Sequence, residues 1–139
     1  MLLENADIRV KLDAKTGGFA SLYNKRANQE MIKQNGPTRL FRLIAPDGAM
    51  LCNHIDSVAP RVAQEDGGVT LTFVNGGVTA TVRLTLDGPA VVATLEVANT
   101  GSLTIEEVRF PCVLGLEPIK DATYTLPSFS KRCFDPFGP

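Results

Sequence analysis

Apolar and polar positions alternate most regularly between residues 69 and 99, VTLTFVNGGVTATVRLTLDGPAVVATLEVAN. A period of two puts Val69, Leu71 and Phe73 on one face, followed by Val78, Ala80, Val82, Leu84 and Leu86, then Val91, Ala93, Leu95 and Val97. Thr70, Thr72, Thr79, Thr81, Arg83, Thr85, Thr94 and Glu96 fall on the other. Asn75-Gly76-Gly77 and Asp87-Gly88-Pro89 supply two reversals. The stretch predicts an antiparallel meander with one buried and one wet face.

The rest of the chain reads as shorter elements of the same kind. Residues 7–13 (DIRVKLD) alternate and predict a first strand, which Gly17-Gly18 turns back into a second over FASLY. The polar NKRAN stretch predicts a turn before a short strand at 30–32, with a helix over 23–34 as the competing expectation. KQNGPT reads as a loop, and residues 40–45 (LFRLIA) as a buried strand turned by Pro46-Asp47-Gly48. Residues 50–60 are aperiodic, an exposed loop or an irregular edge strand, and 61–64 lead through Asp66-Gly67-Gly68 into the meander. Beyond it, a strand is expected over 103–110, edged or broken by Pro111, then a short one over 123–126 and a proline-rich aromatic tail. About nine short strands without a convincing helix predict an all-β fold, a two-sheet antiparallel β-sandwich, with a closed barrel as the alternative. No internal repeat points to a solenoid or propeller.

Length and charge narrow the picture. The 139 residues suit one domain over 1–139, long enough to bury a core. Fourteen basic and fifteen acidic side chains give a net charge of −1, so neither nucleic acid nor an anionic membrane is an expected partner. No stretch approaches the roughly 20 apolar residues of a membrane span. Glu4, Asn5 and Asp7 interrupt any signal-peptide core, so a cytoplasmic location is expected. Cys52, Cys112 and Cys133 are widely spaced and odd in number, which argues for free thiols over a disulfide framework or a zinc site; no cofactor or metal is expected.

Candidate chemistry is sparse, and no catalytic motif stands out. His54, the sole histidine, lies two residues from Asp56 and near Cys52, an arrangement that acid/base or thiol chemistry would need completed by a third group. Glu106 and Glu107 are adjacent and point opposite ways on a strand, Glu65-Asp66 sit at a turn, and Asp121 and Asp135 lack an identifiable partner, so no carboxylate pair spans a glycosidic bond. Sugar binding uses aromatic platforms ringed by polar groups. Phe19, Phe41, Phe73 and Phe110 fall at packing positions, whereas Tyr23, Tyr124, Phe129, Phe134 and Phe137 are the surface aromatics. The candidate carbohydrate-binding residues are Tyr23, His54, Tyr124 and Phe129. The clustered aromatics of the tail also suit a surface that docks a neighbouring domain.

Three segments carry a resemblance. LENADIRVKLDAKTGGFASLYNKRANQEMI, with its D-x-x-T-G-G and N-K-R turns, VVATLEVANTGSLTIEEVRFPCVLGL, with its E-V-x-F-P strand, and YTLPSFSKR together resemble the β-supersandwich, galactose mutarotase-like domains of glycoside hydrolases. These are fold signatures rather than catalytic ones. The resemblance implies a non-catalytic amino-terminal β-sandwich of a glycoside hydrolase, supporting carbohydrate binding or a catalytic barrel. Its partners would be a carbohydrate and that catalytic domain of the same polypeptide. Such sandwiches are longer than 139 residues, so the chain is expected to be part of a larger one. The mutarotase members use a histidine acid and a glutamate base, which no motif places here. A self-contained carbohydrate- or protein-binding module and a mutarotase-like enzyme are the alternatives.

Overall fold

The computed structural model describes residues 1–32, 39–46, 50–52, 59–113 and 115–116. All regular structure in them is β: β1 (Leu2–Glu4), β2 (Ile8–Leu12), β3 (Phe19–Asn24), β4 (Gln29–Glu30), β5 (Arg42–Ile44), β6 (Met50–Cys52), β7 (Arg61–Glu65), β8 (Gly68–Asn75), β9 (Val78–Asp87), β10 (Ala90–Asn99) and β11 (Glu107–Arg109). Hydrogen bonding arranges them in the orders β1-β2-β3-β4, β10-β9-β8-β7 and β11-β5-β6, every pairing antiparallel. Among the described residues the result is an open, sandwich-like all-β fold with no closed barrel.

The meander folds as its alternation predicts. Val69, Leu71, Phe73, Val78, Ala80, Val82 and Leu84 are buried, and Leu86, Val91, Ala93, Leu95 and Val97 pack against them half-buried. Leu3, Ile8, Val10, Leu12 and Phe19 of the first sheet meet the same core, as do Leu40, Phe41 and Leu43 around β5. Each large apolar side chain so buried contributes about 1.5–3 kcal/mol. Phe41 and Phe73 touch edge to face, ring centroids 5.1 Å apart, and so join the short sheet to the meander.

The D-x-x-T-G-G turn closes the first hairpin through its own side chains. The Asp13 carboxylate accepts from the amides of Lys15 (2.9 Å) and Thr16 (2.8 Å), and the Asp13 amide donates to the Gly18 carbonyl at 2.9 Å. Gly17 there has φ +72°, and a Cβ would lie 2.9 Å from Phe73 Cζ. Glycine is required by the backbone and by the core together.

Three expectations change. A strand precedes the expected first one, since β1 pairs with β2. The helix weighed over 23–34 does not form in its described part: Asn24 Oδ1 accepts from the Ala27 amide (3.0 Å), Asn28 takes φ +52°, and β4 pairs back on β3. These local polar bonds favour a turn over a helix. The strand expected over 103–110 shrinks to β11, because the Asn99 side chain donates to the Leu103 carbonyl (2.5 Å) and accepts from the Gly101 amide (3.1 Å), holding a turn. Leu103 and Ile105 still pack on the core. Residues 123–126, where a further strand is expected, lie outside the described residues.

Candidate functional site

Opposed residues in the first sheet share a face. Arg9 lies opposite Tyr23, Lys11 opposite Ser21, Glu4 opposite Arg9 and Tyr23 opposite Glu30. While Ile8, Val10 and Leu12 turn into the core, this second phase of the same strands forms an outward polar face with one aromatic ring at its middle. The placement follows from alternation and needs no special backbone.

Tyr23 is held from two sides. The Arg9 guanidinium lies over its ring, Cζ 4.7 Å from the centroid, a cation–π contact. Its hydroxyl donates to Asn28 Oδ1 on the left-handed turn between β3 and β4. Arg9 Nε is shielded from solvent and meets no acceptor among the described residues, which costs stability at the base of the stack. Arg9 and Tyr23 are both half-buried, and Lys11 and Ser21 form the next opposed pair on the same face.

The carboxylates around it are engaged. Lys25 Nζ meets Glu4 Oε1 at 2.6 Å, and that bond first holds the Glu4 carboxyl below its usual range. Arg26 Nε donates to Asp7 Oδ1 at 2.5 Å. At Glu30 burial opposes ionisation, yet the Ser21 hydroxyl (2.5 Å) and the Leu22 amide (2.8 Å), with the amides of Ile32 and Met31, outweigh it and keep the carboxyl low. These bonds tie the Glu30 carboxylate to β3 at Ser21 and Leu22. The face thus joins a held aromatic ring to acids already bonded by donors of the same sheet.

Of the four residues that sequence singles out for carbohydrate, Tyr23 is on this face, half-buried on β3. His54, Tyr124 and Phe129 lie outside the described residues, as do Asp56, Asp121, Asp135, Phe134 and Phe137. Phe19, Phe41 and Phe73 are buried and Phe110 packs against the core, as their positions predict. Glu106 and Glu107 are exposed; Arg109 bonds Glu107 at 2.5 Å, which lowers the carboxyl and raises the guanidinium. Cys112 is free and half-buried. Among the described residues no cluster of three histidines, cysteines or acids forms a metal site, and no helix is long and apolar enough to cross a membrane.

Arg9, Asn28 and Glu30 complete the face and are invisible to motif reading. Counting back from the first hairpin turn would have paired Arg9 with Tyr23, had the one-residue register shift between Lys11 and Leu12 been known. Comparison with protein-family models, with curated proteins and with solved structures finds no match to this chain.

Proposed function

We propose that the chain is an accessory, non-catalytic β-sandwich of a carbohydrate-active enzyme, and that it contacts sugar through the outward face of its first sheet. The observation that carries this reading is the Arg9–Tyr23 stack on the paired strands β2 and β3, beside Lys11 and Ser21, with the neighbouring acids Glu4, Asp7 and Glu30 already bonded. Sugars are bound by a ring surface for their C–H faces and by fixed polar groups for their hydroxyls, and the Tyr23 ring with the Arg9 and Lys11 cations on the same face supports that reading. The motif resemblance to supersandwich domains of glycoside hydrolases supports the same reading and supplies the expectation of a catalytic domain elsewhere in the polypeptide.

Calorimetric titration of the chain with a broad panel of neutral and acidic oligosaccharides tests it. Weak binding is expected, reduced at least about tenfold by Tyr23→Ala, a loss of about 1.4 kcal/mol. The tyrosine is half-buried, so the circular dichroism of the variant should stay that of the parent chain. Absence of binding across the panel, or binding indifferent to Tyr23→Ala, removes the face from carbohydrate recognition.

A further inference from the structure

The meander's two edges differ in how they are finished. β7, at one edge, is five residues long, carries Arg61, Gln64 and Glu65, and is tied to the first sheet by Gln64 Nε2 donating to the Leu2 carbonyl at 3.4 Å. β10, at the other, runs ten residues in unbroken register with β9 and pairs with no second strand among the described residues. It contains no proline, glycine or lysine, and Glu96 is its single charge. Proteins blunt exposed edges with charge, proline, bulges or brevity, and β10 has none of these beyond that glutamate. Val92 on its outer face is 43% exposed, and the inward Val91, Ala93, Leu95 and Val97 are only half-buried.

We infer that this edge pairs antiparallel with β10 of a second copy of the chain, about a two-fold axis at Leu95. The strand is complementary to itself in that register. Leu95 meets its own mate at the axis, and away from it Ala93 meets Val97 on the inward face and Val92 meets Ala98 on the outward one, each larger side chain against a smaller. Glu96 of one copy lies opposite Thr94 of the other, and Arg83 stands beside that Thr94 on β9 in the same outward row. Arg83 and Glu96 are exposed, and neither has an ion-pair partner among the described residues. The two-fold axis brings each Glu96 within reach of the other copy's Arg83, twice over. The inference is independent of the carbohydrate reading, which concerns the first sheet.

Sedimentation equilibrium of the full chain over a range of concentrations tests the pairing. A monomer–dimer equilibrium is expected, weakened about tenfold or more by Arg83→Glu or by Glu96→Arg and regained when both are combined, because the charge pair is then restored in reverse. Amide hydrogen exchange of the parent chain gives a second reading that needs no variant: protection along β10, but not β7, should rise with protein concentration. A chain monomeric at every concentration overturns the proposal and leaves the edge to another segment or a different protein. A dimer indifferent to both single charge reversals, or protection independent of concentration, overturns it as well.

Discussion

The first sheet and the meander are built from the same antiparallel strands and are held by different means. In the meander, β8 to β10 bury one alternating stripe, and the opposite, threonine-rich face makes no side-chain hydrogen bond among the described residues. The first sheet has shorter strands and a net of polar links: Asn5 Oδ1 accepts from the Asp7 and Ile8 amides, Lys25 reaches the Asn5 carbonyl and Glu4, and Arg26 reaches Asp7. Burial is non-directional and forgiving of outward substitutions, whereas hydrogen bonds fix where each group points. A fold that must present an ordered polar face would place that face on the netted sheet, where the Arg9–Tyr23 stack is found.

The largest effect that tests the contrast lies in the meander's core. Phe73 is buried against Phe41 and under Gly17, so Phe73→Ala removes contacts to both other sheets at once. A loss of about 3–5 kcal/mol is expected by denaturant unfolding, against less than about 0.5 kcal/mol for Thr81→Ala on the outward face of β9. Equal costs at the two positions would mean that the threonine face is covered, and the description of the meander as one-sided would fail.

This difference also decided what could be read from sequence. β8, β9 and β10 were legible almost residue by residue because a period of two, punctuated by two glycine turns, has no competing interpretation over so long a stretch. β1 was not, since three residues ahead of a turn carry no period. The turn at residues 25–28 also suits a helix by sequence, and what excludes one is the Asn24 side chain accepting from the Ala27 amide and the positive φ of Asn28. Tyr23 was legible as a surface aromatic on a strand; its partners were not. Arg9 comes from across a hairpin with a register shift, and Glu30 from beyond a further turn, so the pairing that assembles the face is tertiary information.

A middle-sized effect tests the link between the two regions. Asn5 does more than order the turn into β2, because its Nδ2 donates to the Gly88 carbonyl at 2.7 Å, on the turn between β9 and β10. Asn5→Ala removes that bridge and leaves two amides without their acceptor, at an expected cost of about 1–2 kcal/mol. If the first sheet depends on its net, exchange of the β2 and β3 amides should quicken more than that of β8. Uniform quickening would show that the two sheets open as a single unit.

The smallest effect is a dependence on pH, and of the two regions compared it should belong to the first sheet. Asp13 is held below its ordinary 3.8 first by the Thr16 amide, and Glu30 below 4.5 by the donors that outweigh its burial. A carboxyl whose folded pKa is depressed contributes stability that is fully present above the unfolded value and is lost as pH falls through the folded one. Stability should therefore hold steady down to the ordinary carboxylate range and decline below it. Apolar burial does not titrate, so the decline should appear first in the β1–β4 amides. Asp13→Asn keeps an oxygen for the Lys15 and Thr16 amides while removing the ionisation. It should leave the fold intact, lower stability modestly at neutral pH and flatten the acid decline. An acid limb of unchanged steepness in that variant, followed by urea midpoints, would remove Asp13 from the titrating groups, and unchanged steepness in Glu30→Gln as well would dissolve the distinction between a sheet held by ionised acceptors and one held by its core.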